Sequence, residues 1–213
     1  MGQKIDPNGF RLGVINTWTS RWFADGKKYK DFVLEDVKIR EGLRKKLKIA
    51  GVSTIEIERS INKIDITVHV AKPGLVIGRG GTGMEEIKKY LLTLLNIKSE
   101  EKNSPKMDVR VEQIKEPNLD AYLVATNIAD QLAKRMPFKR VMAQSVERVM
   151  SAGAKGVRVK LSGRVGGAEI KRVEKNQAGI LSLQTLREKV EFAKIPSFTK
   201  SGYIGVKVWI CRK

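Results

Sequence analysis

The first half of the chain alternates apolar and polar residues in three segments, and a period of two predicts β-strands. These segments are residues 54–59, 63–71 and 107–114. Only the turn sequence Ser-Ile-Asn separates the first two, so we expect them to form a hairpin that the third strand extends. Two amphipathic stretches, residues 35–48 and a stretch that starts near Thr82, predict helices. The pattern indicates a three-stranded sheet with helices on one face.

The second half has a different pattern, with two amphipathic stretches followed by four alternating ones. Helices are expected at residues 120–136 and 138–151, because Pro137 interrupts the pattern between them. Four strands are expected, at residues 156–164, 168–176, 187–195 and 203–213. Basic or polar side chains alternate with apolar ones in these strands, so the sheet should have one dry and one basic face. The fold class is therefore α+β, and the second half should be a two-helix, four-strand α/β sandwich.

The change of pattern near Glu116 and Pro117 predicts a domain boundary. We expect three parts: an amino-terminal arm of residues 1–34, a first domain of residues 35–116 and a second domain of residues 117–213. A chain of 213 residues in which 41% of the residues are hydrophobic can build two small cores.

Four glycines lie where a short β segment is expected to lead into the helix near Thr82. They are Gly78, Gly80, Gly81 and Gly83. Without Cβ atoms a polyanion can approach the backbone closely, and a helix start offers unpaired N–H groups and a positive dipole end. This spacing indicates a phosphate site, although a tight turn with no ligand is the alternative.

Three phosphate-binding patterns compete for these glycines. A P-loop needs Lys followed by Ser or Thr, but Gly83 is followed by Met84, Glu85 and Glu86. The dinucleotide pattern G-x-G-x-x-G fits literally, but residues 72–77 separate the preceding strand from it, and a polar loop at residues 98–105 stands where the ribose-binding strand should be. The pattern I-G-x-x-G, formed by residues 77–81, is that of a KH domain, which clamps single-stranded nucleic acid.

Charge favours the nucleic-acid interpretation. The chain carries 42 Lys and Arg against 23 Asp and Glu, a formal net charge of +19, which is typical of proteins that bind nucleic acid. We find no apolar run long enough to span a membrane and no secretory signal at the start, so we expect a cytoplasmic protein. The single cysteine, Cys211, and the single histidine, His69, cannot form a standard zinc site, and we expect no cofactor.

Several longer strings carry a resemblance to a known family. They are MGQKIDPNGFRLG, INTWTSRWFADGKKY, VIGRGG, SGRVGGAEIKR and GVKVWI. In this order they resemble the family of bacterial small-subunit ribosomal protein S three, and the resemblance covers nearly the whole chain. It implies a KH domain of the second topological type followed by the two-helix, four-strand domain, both bound to ribosomal RNA in the head of the subunit. It also implies contact with messenger RNA at its entry path and with neighbouring head proteins, of which we expect S ten and S fourteen.

The resemblance assigns roles to particular basic residues. In the family, basic residues on the first helices of the second domain face incoming messenger RNA and help to separate its paired regions. The matching residues here are Lys139 and Arg140, and Arg135 precedes them by one turn. Family members carry further basic residues one turn later, where this chain has Ala143 and Gln144, so its contact with messenger RNA is expected to be weaker. A solvated helix end is the alternative role for Lys139 and Arg140.

Other basic residues are expected to contact ribosomal RNA. In the arm, aromatic residues are interleaved with basic ones, and we expect the rings to dock the arm on the KH core rather than to stack on bases. Arg164 lies on a second glycine-rich turn, whose alternative role is that of a plain hairpin loop. The expected ribosomal RNA contacts are Lys4, Arg11, Arg21, Lys27, Lys28, Arg164, Lys171 and Arg172.

We expect binding without catalysis, because no nucleophile, base and orienting acid can be found together. Any strand separation would be passive, since basic side chains would hold an unpaired strand without ATP. A dinucleotide-dependent enzyme that uses Gly78, Gly80 and Gly83 is one alternative, and a free RNA chaperone with KH architecture is another. We expect no homo-oligomer.

Overall fold

The computed structural model describes residues 4–95 and 106–212; the polar loop expected at residues 98–105 lies outside them. The chain divides into two compact units, Trp18–Lys115 and a second unit that joins Met1–Thr17 to Glu116–Lys213. In chain order the elements are α1 (Pro7–Phe10), β1 (Ser20–Arg21), α2 (Gly26–Lys46), β2 (Val52–Ser60), β3 (Lys63–Val70), α3 (Pro73–Ile77), α4 (Thr82–Leu94), β4 (Lys106–Gln113), α5 (Ala121–Ala133), α6 (Phe138–Ser151), β5 (Gly156–Gly163), β6 (Arg172–Gly179), β7 (Val190–Thr199) and β8 (Gly202–Cys211).

The unit Trp18–Lys115 contains a four-stranded sheet in the order β1-β2-β3-β4. β2 and β3 form the predicted antiparallel hairpin, and β4 extends it in parallel to β3. The fourth strand, β1, pairs in parallel with β2 and was not predicted, because its two residues are too few to show a period. The core lies on one face of the sheet, where the strands bury Ile55, Ile57, Ile64, Ile66, Val68, Val70 and Val109 against Ile39, Leu43, Ile87 and Leu91 of the helices.

Helix α2 begins at Gly26, nine residues before the predicted start at residue 35. Its buried residues are Asp36, Ile39, Gly42 and Leu43, all in the later part of the helix. The earlier turns bury no side chain fully, so they carry no apolar period that the sequence could show. Residues 1–34, expected to form one arm, are therefore divided: residues 1–17 belong to one compact unit, and the rest carries β1 and the start of α2 in the other.

The other unit contains an antiparallel sheet in the order β6-β5-β8-β7, with α5 and α6 packed on one face. The two-helix, four-strand arrangement agrees with the prediction, although β6 starts four residues late and β7 three residues late. Alternate strand residues such as Val157, Val159, Val206 and Val208 are fully buried beneath the helices.

The amino-terminal segment packs on this same unit. The Asn8 side-chain amide donates to the Phe192 carbonyl, and Arg11 is fully buried. The Arg11 guanidinium donates hydrogen bonds to five backbone carbonyls, those of Pro7, Ser182, Leu183, Thr185 and Glu188. This network explains why residues 187–189 are not part of β7, since the chain there wraps around the guanidinium before it enters the sheet.

Candidate nucleic-acid interface

The glycine-rich segment joins two helices rather than a strand and a helix. Residues 73–77 form the short helix α3, with Pro73 in its first turn, and the expected β segment at this point is therefore wrong. Only Val76 of α3 is buried, and a single inward residue gives no period that would identify a helix. The dinucleotide turn requires a strand directly before the glycines, so the structure does not support that alternative.

Three of the glycines have backbone conformations that other residues rarely adopt. The φ angles of Gly78, Gly80 and Gly81 are 70°, 64° and 83°. A Cβ on Gly80 or Gly81 would meet nothing within 4 Å, so the surface above them is open. Gly83 serves packing instead, because its Cβ would lie 2.4 Å from the Val76 carbonyl oxygen. The loop thus combines left-handed backbone with free space outside it.

Helix α4 begins directly after the loop and has no side-chain cap at its amino end. Gly81 is the N-cap residue, and the Thr82 hydroxyl donates to the Arg79 carbonyl rather than accepting from the first turn. The N–H groups of that turn are therefore left without a side-chain partner at the open side of the loop. Arg79 at the tip is exposed. This geometry suits an anion that approaches the backbone.

An apolar ledge adjoins the loop, and the sequence patterns did not identify it. Leu75 is 59% exposed and Ile77 43% exposed, although both belong to the apolar string that precedes the glycines. Apolar side chains left exposed beside a phosphate-binding loop can contact the faces of bases. The sequence indicated this ledge only through the match of Ile77 to the KH pattern, because the sequence alone does not show that the Ile77 side chain is exposed.

A second basic element is the corner between α5 and α6, which we call the basic corner and define as residues 134–140. Its cationic side chains are all exposed, and none has an ion pair with another described residue. They are Lys134, Arg135, Lys139 and Arg140. The basic pair Lys139 and Arg140 lies in the first turn of α6, where the helix dipole disfavours positive charge, and that turn contains no acidic residue. Lys134 was not predicted, although it directly precedes Arg135.

Arg135 has a strained backbone. Its φ angle of 61° is positive, which no other described non-glycine residue shares. The Arg135 N–H donates to the Leu132 carbonyl and the Met136 N–H to the Gln131 carbonyl, which is the double hydrogen-bond pattern that ends helices at a left-handed residue. Glycine usually occupies this position, because other residues pay a conformational cost there.

The basic residues expected to contact ribosomal RNA lie in different environments. Lys4, Lys27, Lys28, Lys171 and Arg172 are exposed. Arg21 is exposed but forms ion pairs with Glu56 and Glu58 at 3.1 and 2.7 Å. The exposed Arg164 donates to the carbonyls of Ala168 and Ser201, so it also holds its own turn together.

Arg11 departs from its expected role. Its side chain is 0% exposed, and its donors are directed at backbone carbonyls of its own unit. A guanidinium enclosed in this way cannot reach a phosphate without unfolding the segment around it. We therefore correct its role from RNA contact to structural anchor and leave it out of the proposed interface.

The aromatic residues of the arm divide into two groups. Trp22 packs against Tyr29 and Phe32 with ring centroids 5.4 and 5.5 Å apart, and its indole N–H donates to Asp36. This contact agrees with the expected docking of the arm on the core. Trp18 and Phe23 are 59% and 85% exposed and do not share in it.

The cysteine and the histidine occupy structural positions. Burial, followed by a hydrogen bond to Glu188, raises the pKa of the Cys211 thiol to about 11, so the thiol stays protonated and unreactive at neutral pH. His69 faces Glu56 and Glu112 on the open side of the first sheet. The described residues contain no cluster of His, Cys, Asp and Glu that could hold a metal ion. They also include no helix long and apolar enough to cross a lipid bilayer.

Comparison with known proteins assigns the chain to a family. Residues 38–119 match the model of the KH domain, and residues 128–210 match that of the ribosomal protein S3 C-terminal domain. The chain is 50% identical over 212 residues to small ribosomal subunit protein uS3 of Lactobacillus helveticus, which covers 100% of this chain and 91% of the relative. It is 47% identical over 210 residues to the protein of the same name from Caldicellulosiruptor bescii, covering 99% of this chain and 91% of the relative. Identity of this extent along the whole chain shows that it belongs to the ribosomal protein S3 family.

Proposed function

We propose that this protein, a structural constituent of the small ribosomal subunit, binds RNA through two separate elements. The glycine loop of residues 78–81 clamps an RNA backbone, and the basic corner holds messenger RNA where it enters the subunit. The family is one of structural ribosomal proteins in the cytoplasmic ribosome, so the protein is not an enzyme.

One observation carries the loop assignment. Gly80 and Gly81 hold left-handed conformations, and the space where their Cβ atoms would be is open. Positive φ angles select glycine at these two positions whatever the turn binds, so the assignment rests on the open surface above them and on the uncapped first turn of α4. Backbone that is open on its outer side directly before an uncapped helix allows close approach of a phosphate.

The loop offers contacts of two kinds. Backbone N–H groups and Arg79 serve the phosphates, while the exposed side chains of Leu75 and Ile77 serve the bases. Phosphate contacts fix the position of the strand and carry no sequence information, and apolar contacts with unpaired bases favour single-stranded over paired RNA. The occupant best suited to this loop is therefore an unpaired segment of RNA.

The basic corner supports the messenger assignment. Four exposed cations in seven residues, two of them against a helix dipole, form a surface whose charge is compensated when a polyanion lies on it. Holding an unpaired strand there shifts the pairing equilibrium of a messenger hairpin towards the open form. The work of strand separation then comes from translocation, and no ATP site is needed.

The messenger role is tested by translation through a stable hairpin. Ribosomes with Lys139→Ala and Arg140→Ala should slow on a messenger with a hairpin and keep their speed on an unstructured one. Arg148→Ala is the matched control, because Arg148 is an exposed cation at the other end of the same helix. Equal slowing on both messengers, or an equal effect of the control, would contradict the proposal.

Ribosomal RNA contact and neighbouring proteins complete the proposed function. Exposed Lys4, Lys27, Lys28, Lys171 and Arg172 are placed where phosphates can reach them. The proteins S ten and S fourteen remain the proposed neighbours in the subunit head. Crosslinking of assembled subunits from each lysine, followed by identification of the crosslinked RNA or protein, tests these contacts individually.

A further inference from the structure

The face of the second sheet opposite α5 and α6 carries a row of four lysines, one from each strand. Lys160 of β5 lies directly opposite Lys175 of β6 on one side and Lys207 of β8 on the other. Lys207 in turn lies opposite Lys194 of β7. The Cα atoms of the four lysines therefore lie on a single line across the sheet, about 14 Å long at the usual strand spacing. We call this line the lysine row.

The lysine row is unfavourable in the free protein. Like charges directly opposite each other on neighbouring strands destabilise a sheet. None of the four lysines has an ion pair with a described residue. Within the described strands, every Asp or Glu of this sheet has the opposite parity, so the charged side chains that these strands place on this face are all cations. Glu188, which precedes β7, reaches only the Cys211 end of the face and pairs with Lys155 rather than with the row.

The other sheet of the same protein shows that open faces can be balanced. There Arg21 is paired with Glu56 and Glu58, and Lys63 with Asp65. Both faces belong to a chain with a large positive charge, so general basicity does not explain the difference. The unbalanced row indicates a specific negative partner.

The surroundings of the lysine row indicate the chemistry of that partner. Four residues along each of β7 and β8, Phe198 and Tyr203 lie opposite each other with ring centroids 5.1 Å apart. The two rings are on the same face as the row and are 68% and 69% exposed. Between the rings and the lysines, the register places Gly205 opposite Ser162 and Pro196.

Small side chains separate the row from the rings. A Cβ on Gly205 would lie 3.1 Å from the Ser162 hydroxyl oxygen, so this hydroxyl already covers Gly205. Basic side chains next to exposed aromatic rings form the combination that binds single-stranded nucleic acid, with phosphates on the cations and bases on the rings. An acidic protein would match the charge but would not use the rings in this way.

We propose that the lysine row and the Phe198–Tyr203 pair form a further RNA-binding surface, which takes an unpaired RNA segment with its phosphates along the row and a base on the rings. The surface is distinct from the glycine loop and the basic corner, and it deepens the RNA-binding function proposed above, on which it rests. At the opposite end of this face, Trp209 and Cys211 are buried under residues 181–183, which limits the surface to the open end of the sheet.

Salt-dependent binding of the full chain to a labelled oligouridylate tests the surface. For single strands each phosphate contact adds about 0.7 to the slope of log affinity against log salt, so Lys160→Gln with Lys207→Gln should lower that slope by about 1.4. Lys45→Gln with Lys48→Gln, which removes two exposed lysines of α2 and the turn after it, should leave the slope unchanged. Phe198→Leu with Tyr203→Leu should weaken binding about fivefold or more without changing the slope, because stacking is not ionic.

The unliganded variants give an independent readout of the same row. Because the lysines repel one another, Lys160→Gln with Lys207→Gln should raise the melting temperature at low salt, and the gain should shrink at high salt. A melting temperature that falls, or a binding slope that does not change, overturns the proposal. An acidic peptide that competes as well as the oligouridylate at equal charge also overturns it.

A parallel variant separates this inference from the function on which it rests. Arg79→Asp with Gly80→Asp removes the glycine loop as an anion site. If that variant loses RNA affinity and the lysine-row variant does not, only the further surface is wrong. If neither variant loses affinity, both the glycine loop and the lysine row fail as RNA-binding sites.

Discussion

Arg59 and Asp36 form a buried ion pair in which a guanidinium nitrogen lies 2.6 Å from a carboxylate oxygen, with side chains only 4% and 3% exposed. The second Asp36 oxygen accepts from Ser20 and from the Trp22 indole. A single carboxylate near the middle of α2 thereby holds β1, β2 and the aromatic contact of the arm together. The pair explains why residues 20–22 are ordered against the first unit although they form only a two-residue strand.

Removal of this carboxylate should destabilise the first unit strongly. Asp36→Ala leaves a buried guanidinium without its main partner and should lower the free energy of unfolding by about 3–5 kcal/mol. Glu35→Ala is the matched control, because Glu35 pairs with the same guanidinium from a more exposed position and should cost about 0–1 kcal/mol. Urea denaturation followed by circular dichroism measures both. Equal costs for the two variants would show that Asp36 is not the organising residue.

Arg11 should anchor the amino-terminal segment to the second unit. Arg11→Met leaves five backbone carbonyls without their donor, and we expect a loss of about 2–4 kcal/mol in the free energy of unfolding. The first residues of the chain should also become sensitive to limited proteolysis, whereas Lys4→Met should change neither property. A protease-resistant amino terminus in Arg11→Met would contradict this anchoring role.

The strain at Arg135 predicts a trade between stability and function. Arg135→Gly removes the cost of a left-handed non-glycine residue and should stabilise the protein by about 1 kcal/mol. Because it also removes a cation from the basic corner, it should slow translation through a messenger hairpin. Arg135→Lys keeps both the charge and the strain, so it should resemble the parent in both assays. A glycine variant that translates hairpins at the speed of the parent would show that the Arg135 cation does not contact messenger RNA.

The sequence predicted most of the fold because the core-facing strands and helices keep a clear apolar period. Alternation located β2, β3, β4 and β5, and amphipathic periodicity located α4 and α6, to within two or three residues. The failures share a physical cause, which is that the missed features have one inward residue or none. Helix α3 buries only Val76, and the early turns of α2 bury no side chain fully.

The sequence predicted the parts of the candidate site whose chemistry depends on residue type. It did not predict the parts that depend on whether a side chain points into the core or towards solvent. The glycine loop was found from its spacing, because left-handed backbone selects glycine. Burial of Arg11 and exposure of Leu75 and Ile77 reverse the usual behaviour of these residue types, so composition gave no signal of either. The lysine row needed strand register, which sequence alternation does not supply.

The protonated Cys211 thiol predicts loss of stability at alkaline pH. Its pKa is raised from an ordinary value near 9 to about 11, so the folded protein binds a proton more tightly than the unfolded chain does. The contribution of the protonated Cys211 thiol to the free energy of unfolding is complete below pH 9 and is lost as the pH rises from 9 through 11. Between these pH values the melting temperature of the parent should fall more steeply than that of Cys211→Ala. Parallel curves would show that the thiol does not contribute.

The central claim is that the glycine loop of residues 78–81 binds an RNA backbone, and salt-dependent RNA binding tests it most directly. Three proteins are needed: the parent, Gly80→Asn, and Arg79→Asp with Gly80→Asp. Asn and Asp both tolerate the left-handed conformation at the open Gly80 position, so both variants should stay folded, and they differ in charge. We predict that the acidic variant binds an unpaired RNA weakly, with a shallower dependence of log affinity on log salt, while Gly80→Asn lies between it and the parent. Equal affinity and equal slope for all three folded proteins would contradict the claim.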